Sequence, residues 1–229
     1  MQIIPVIDLN HGLVVHAKHG LRSAYAPIQS PLCKNAQIES VLAGYLSLFP
    51  FKTFYIADLD SIIDGIPQHK LINELLTRHP ELTFWIDSGF QSSPDLYQAH
   101  GNYVPILGSE AYPPHKITAF ENFNEPFILS LDFTAEHKLG AERIFNDSSL
   151  WPKDIILMTL QKVGSLAGPD FEKLQSFSER FPEHNFIAAG GVRNLDDIQR
   201  LARIGINTAL IASALHSGKF SAEQLRSVN

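Results

Sequence analysis

Cysteine is almost missing from this chain. Cys33 is the one copy in 229 residues, so an intrachain disulfide and a cysteine-built zinc site are both excluded. Long apolar runs are missing too, and none approaches the length of a membrane span. Basic residues are scarce: 18 Lys and Arg stand against 24 Asp and Glu, for a net charge of −6. That balance offers no broad basic face to nucleic acid or to an anionic membrane. It still permits a small phosphate site built from backbone amides. No basic segment precedes the first apolar run and no small-residue cleavage site follows it, so the expectation is a cytoplasmic chain without a leader. The histidines form no ligand-bearing pattern, His16 and His19 included, and a metal site is not expected.

What is present is a hydrophobic share of 45%, enough to bury a sizeable core. Eight short β runs alternate with helical ones. The β runs are residues 1–9, 53–57, 83–86, 103–107, 127–131, 155–158, 185–189 and 208–211. Helical spacing marks 36–49, 67–79, 94–100, 113–123, 170–181 and 195–204. Asn194 reads as a helix N-cap, Gly205 as a C-cap, and Ser221 as the cap of a last helix. Residues 18–35 make a long polar loop of the kind that forms lids. Residues 58–65 and 159–169 read as loops, and 137–147 as an excursion. Strand–helix alternation implies parallel strands, and eight such units at this length imply a (β/α)8 TIM barrel. A doubly wound open sheet is the runner-up; the missing Gly-x-Gly-x-x-Gly after the first strand counts against it.

The first run, MQIIPVIDL, closes with Asp8, and a second, PFILSLDF, closes with Asp132. Other features also recur. Ser88-Gly89 is echoed by Gly190-Gly191, and Gly108-Ser109 by Ala212-Ser213, each roughly 100 residues later. A half-barrel repeated twice explains these offsets and sets Asp8 and Asp132 across the barrel from each other. Carboxylates at the C-terminal ends of barrel strands are candidates for acid/base chemistry, the plainer reading being structural caps on loops. The glycine pair is a candidate phosphate corner, the plainer reading being a turn that needs positive φ.

Several stretches together resemble the ribotide isomerase of histidine biosynthesis and its relative, the cyclase subunit of imidazole glycerol phosphate synthase. They are IIPVIDL, ADLDSIIDGIPQH at 57–69, LGS at 107–109, LSLD at 129–132, VGSLAGPD at 163–170 and AAGGVRNLDDI at 188–198. The resemblance covers nearly the whole chain. It implies an Amadori-type rearrangement of a sugar phosphate without metal or organic cofactor. One carboxylate would take a proton from the ribose carbon and an acid would assist ring opening. Two backbone-rich pockets would hold two phosphates, at Ser88, Gly89, Gly108 and Ser109 and at Gly190, Gly191, Ala212 and Ser213.

Departures from that pattern are informative. Asp87-Ser88-Gly89-Phe90-Gln91 stands where the family has Gly-Gly-Gly-Ile-Arg, and Gly108-Ser109-Glu110 where it has Gly-Thr-Ala. The first-half pocket thus gains two carboxylates and loses an arginine, which opposes a dianion. Ala212-Ser213 replaces Gly followed by Lys or Arg. Val163 occupies the position of the family's candidate acid, and Met158-Thr159 that of its Thr-Asp pair, which makes Thr159 a further candidate. A valine donates no proton, so the reaction would need another acid, and Asp132 is the candidate. These changes resemble a divergent branch seen in archaea and in bacteria that carry one-carbon units on tetrahydromethanopterin. The expectation is therefore an enzyme for a small phosphorylated, sugar-like metabolite, with Asp8 as base. The ordinary isomerase and a non-catalytic metabolite- or partner-binding barrel are the alternatives.

Overall fold

The structure, a computed structural model, describes residues 1–17, 20–92, 97, 101–165 and 167–228. The chain opens with β1 (Gln2–Asn10), which turns at His11 and Gly12 into the antiparallel β2 (Leu13–His16). Both turn residues have positive φ, 50° and 77°, the combination that a two-residue hairpin turn of type I′ requires. A short β3 (Ala26–Pro27) pairs with β2. Then α1 (Ile38–Leu48), β4 (Thr53–Asp58), α2 (Leu59–Asp64), α3 (His69–Arg78), β5 (Thr83–Asp87) and β6 (Tyr103–Gly108) follow. The next elements are α4 (Ile117–Glu121), β7 (Ile128–Phe133), α5 (Glu142–Asn146), β8 (Asp154–Thr159) and α6 (Phe171–Arg180). The chain finishes through β9 (Asn185–Ala189), α7 (Leu195–Arg203), β10 (Thr208–Ile211), α8 (Ser213–His216) and α9 (Ala222–Val228).

Strands β1, β4, β5, β6, β7, β8, β9 and β10 pair in parallel, each with the next, and β10 pairs back to β1. The ring is a closed (β/α)8 barrel. The β2–β3 ribbon is an extra antiparallel flap on β1. Strand alternation divides the core in two. Outward residues such as Ile3, Ile7, Phe54, Ile56, Leu129 and Leu131 pack under the helices. Inward residues such as Ile4, Tyr55, Ile106, Ile128, Ile156, Ile187 and Leu210 fill the barrel. This alternation also aims the candidate site carboxylates. Asp8 shares its face with Ile4 and Val6, and Asp132 shares its face with Ile128 and Ser130, so both point into the barrel.

Each of the eight expected β runs is a barrel strand, with ends shifted by at most two residues. The helices at 36–49, 67–79, 170–181 and 195–204 are present in slightly shorter form. Asn194 accepts from the Asp197 N–H at 3.2 Å, and Gly205 follows α7 with φ 83°. Ser221 and Gln224 exchange side-chain-to-backbone hydrogen bonds at the start of α9. Two local expectations need correction. Residues 58–65 are not a loop: Asp58 accepts from the Ser61 N–H, which starts α2, and Gly65 at φ 67° ends it. The excursion at 137–147 contains α5. The helix expected at 94–100 falls largely outside the described residues. Among the described residues, no helix is long and apolar enough to cross a membrane.

Candidate active site

A cavity opens at the C-terminal ends of the barrel strands. Asp8, Asp87, Glu110 and Asp132 line it, together with Tyr25, Tyr55, Met158, Val163, Gly190, Gly191, Ala212 and Ser213. β1 and β7 have three strands between them on either side of the ring, so Asp8 and Asp132 face each other across the mouth. The half-barrel echo is visible at the loops: Gly89 after β5 and Gly191 after β9 both take positive φ, 61° and 85°.

Asp132 is the most heavily tied of the acids. Its carboxylate accepts from Ser130 Oγ at 2.7 Å, from the Glu110 N–H at 3.2 Å and from Ser109 Oγ at 3.3 Å. Burial still pushes its pKa far above the usual carboxylate range, with the charges of Glu110 and Asp87 adding to the rise. Asp87 accepts from the Gly89 N–H at 3.1 Å and from Tyr55 OH at 3.4 Å, and burial raises its pKa to about 7. Asp8 behaves differently. It is partly open to the cavity, and desolvation by its surroundings alone lifts it to about 7. The two facing acids thus have distinct environments, one held by three donors and one open to the cavity.

The two halves of the mouth are unequal. On the first half, the Gly89 N–H is taken by Asp87 and the Glu110 N–H by Asp132. Ser109 Oγ is buried between the carboxylate and the N–H of Asp132, and Ser88 Oγ bonds Tyr97 OH at 2.7 Å. A Cβ on Gly108 would sit within 3.3 Å of both Asp132 Oδ2 and Asp87 Oδ2, so the backbone there is hemmed by carboxylates. Ser88, Gly89, Gly108 and Ser109 are not part of the cavity wall, whereas Gly190, Gly191, Ala212 and Ser213 are. Any other residue at Gly191 would force the backbone to shift, because a Cβ there would lie 2.4 Å from the Gly168 carbonyl oxygen.

Thr159 lies away from the wall. It is buried, receives Lys173 Nζ at 3.2 Å and meets Asp170 Oδ2 at 3.4 Å, the same carboxylate that caps α6. Asp58 is likewise turned outward, where it holds the Ser61 and Gln68 N–H groups. Asp60 bonds the His11 N–H at 2.8 Å. Among the described residues, no group of three or more His, Cys, Asp or Glu is placed to hold a metal ion.

Sequence reading did not single out Arg22, Tyr25 or Tyr55. Arg22 and Tyr25, which follow β2 in the chain, line the cavity. Arg22 forms an ion pair with Glu110 on the opposite rim. It is the one Lys or Arg among the described residues of the wall. Tyr55 could have been found from strand alternation, since its parity places it inside the barrel.

The barrel, its paired carboxylates and the glycine corner can be set beside known proteins. A family model described as histidine biosynthesis protein matches residues 2–221. The chain belongs to that family. It is 26% identical over 238 residues to an uncharacterised protein of Methanocaldococcus jannaschii, covering 98% of this chain and 97% of the relative. It is also 26% identical over 244 residues to an imidazole-4-carboxamide isomerase of Leuconostoc mesenteroides, whose substrate name carries two phosphoribosyl groups, with 99% of each chain covered. The corresponding isomerase of Thermococcus onnurineus is 23% identical over 241 residues, covering 100% of this chain and 99% of the relative. This family member is therefore similar along its whole length to ribotide isomerases, yet its first-half rim is built of carboxylates.

Proposed function

We propose that this chain is an enzyme that acts on a small, singly phosphorylated, sugar-like metabolite by aspartate acid/base chemistry. The observation that supports the reading is the asymmetry of the mouth. The first-half amides are occupied by the protein's own carboxylates, while the Gly190-Gly191 and Ala212-Ser213 corner lines the cavity. A substrate with two phosphates would have to displace Asp87 and Asp132 from their donors and bring a dianion beside them. A substrate with one phosphate needs only the open corner.

Asp8 and Asp132 divide the work by environment. With a pKa near 7, Asp8 has a substantial ionised fraction at neutral pH and faces the cavity, as a base that removes a proton from a substrate carbon must. Asp132 is pushed higher by burial and by Glu110 and Asp87, so its protonated form persists at neutral pH and can donate. It would replace the acid that Val163 cannot be. Each such proton transfer is worth on the order of 100- to 10,000-fold in rate. The reaction class is isomerisation or a related sugar-phosphate conversion, with no cofactor required.

Titration with inorganic phosphate, read by backbone NMR, tests the anion assignment. Shifts confined to residues 190–213 are expected; shifts confined to residues 88–110 would reverse it. A second reading, the ordinary ribotide isomerase with a displaced acid, is favoured by the full-length similarity to proteins of that name. Expression in a strain lacking that isomerase separates the two: growth without histidine supports the second. If Asp8→Asn and Asp132→Asn variants keep full cellular function, the barrel is not catalytic.

A further inference from the structure

The resemblance implies a basic residue after the eighth strand where this chain has Ser213, and among the described residues no Lys or Arg of the second half lines the cavity. Arg22, the one guanidinium in the described wall, is held at the other end by Glu110. The second-half corner nevertheless has a basic group beside it. His16, on β2, places Nε2 2.9 Å from Ser213 Oγ. The two residues are far apart in sequence and meet only because the β1–β2 hairpin folds back over the rim next to β10.

We propose that His16 and Ser213 are the side-chain half of the anion site at this corner, with His16 supplying its positive charge and the Ser213 hydroxyl a donor. The inference rests on the one-phosphate reading above and adds to it the residue that neutralises the phosphate. A second imidazole nearby fits this assignment. His216, on the same short helix as Ser213, is enclosed by Tyr45 OH at 2.7 Å and Ser30 Oγ at 2.9 Å. Burial, and secondarily the proximity of His16, lowers its pKa to about 4. His216 therefore remains neutral, and of the two imidazoles at this corner the proposal assigns the charge to His16. A dianion beside an imidazole favours the imidazolium, so ligand and charge would arrive together. The carboxylates lining the same cavity, Asp8, Asp87, Glu110 and Asp132, act in the opposite sense, which makes a local cation more necessary.

Sulfate is the probe, because it stays a dianion throughout the neutral range. Calorimetric titration of the full chain at about pH 6.5 compares the parent with His16→Gln and His16→Lys. The expected result is a loss of roughly tenfold or more in affinity for His16→Gln and retention within about threefold for His16→Lys, as a charge-assisted contact predicts. In the parent itself, 15N NMR of the imidazoles should show His16 moving towards the imidazolium on saturation. Unchanged sulfate affinity in His16→Gln would overturn the proposal. So would an equal loss in both variants, which would mean that His16 only shapes the corner. A parent that binds neither sulfate nor phosphate would overturn the one-phosphate reading and this inference with it. Binding that survives unaltered in His16→Gln would sink the inference alone.

Discussion

Replacing Asp87 with Asn should make the protein more stable at neutral pH, and the gain should vanish in acid. Asp87 is buried, and its pKa rises from 3.8 to about 7, chiefly by desolvation. Each unit is worth about 1.4 kcal/mol. The ionised side chain therefore costs up to about 4 kcal/mol in the folded state at a pH well above 7. Cavity water screens part of this, and a working value is about 2 kcal/mol. The sign follows from proton binding. Between the two pKa values the folded chain holds a proton that the unfolded chain has released, so the contribution is fully favourable below 3.8 and is lost as pH rises through about 7. Asn keeps the shape and can still accept from the Gly89 N–H, now 3.1 Å from Asp87 Oδ1. Urea unfolding of parent and variant at about pH 4.5 and about pH 8 measures the difference. Using a difference cancels Asp170 and Asp197, whose lowered pKa values give stability that fades as pH falls. An equal offset at both pH values, or a variant less stable at the higher one, would refute the electrostatic account.

Three further perturbations separate binding from packing. Gly191→Ala should lower stability by about 2–4 kcal/mol and weaken sulfate binding more than tenfold, since the new Cβ would meet the Gly168 carbonyl at 2.4 Å and φ is 85°. Gly44→Ala should cost a similar amount in thermal unfolding, because its Cβ would lie 2.2 Å from the Leu32 carbonyl oxygen, yet leave sulfate affinity near the parent value. Glu110→Gln should release Arg22 and remove a charge that raises Asp132 and Asp87. Anion affinity measured by calorimetry at low salt should then rise several-fold, and a salt titration should erase most of the gain.

The barrel was legible because parallel strands buried on both faces are written as continuous apolar runs, which β7 with ILSLDF illustrates. The helix Leu59–Asp64 was not, because DLDSIID has the composition of a loop, and only the Asp58 cap and the Gly65 stop make it helical. Asp8 and Asp132 could be placed opposite each other from strand order alone. The occupancy of the first-half amides could not, since it depends on which carboxylate reaches which N–H. Arg22 was hidden for a related reason: composition identifies 18–35 as a loop but says nothing of the surface it lies on. His16 and Ser213 are separated by nearly the whole chain and meet only through closure of the ring.

A repeated half-barrel offers two equivalent corners for two equivalent groups, and the electrostatics of this chain remove that equivalence. After β5 and β6 the loops carry Asp87 and Glu110, whose charges raise the pKa of Asp132. Those charges oppose an anion, but they also keep the proton that a general acid must donate. After β9 and β10 the loops carry Gly190, Gly191 and Ser213, with His16 adjoining. Restoring a second phosphate pocket would require removing Asp87 and Glu110, and that would take away the charges that add to the burial-driven rise at Asp132. A first-half phosphate and the full rise at Asp132 therefore make opposite demands on one rim. With Val163 unable to donate, the acid use is the one that the proposed function needs.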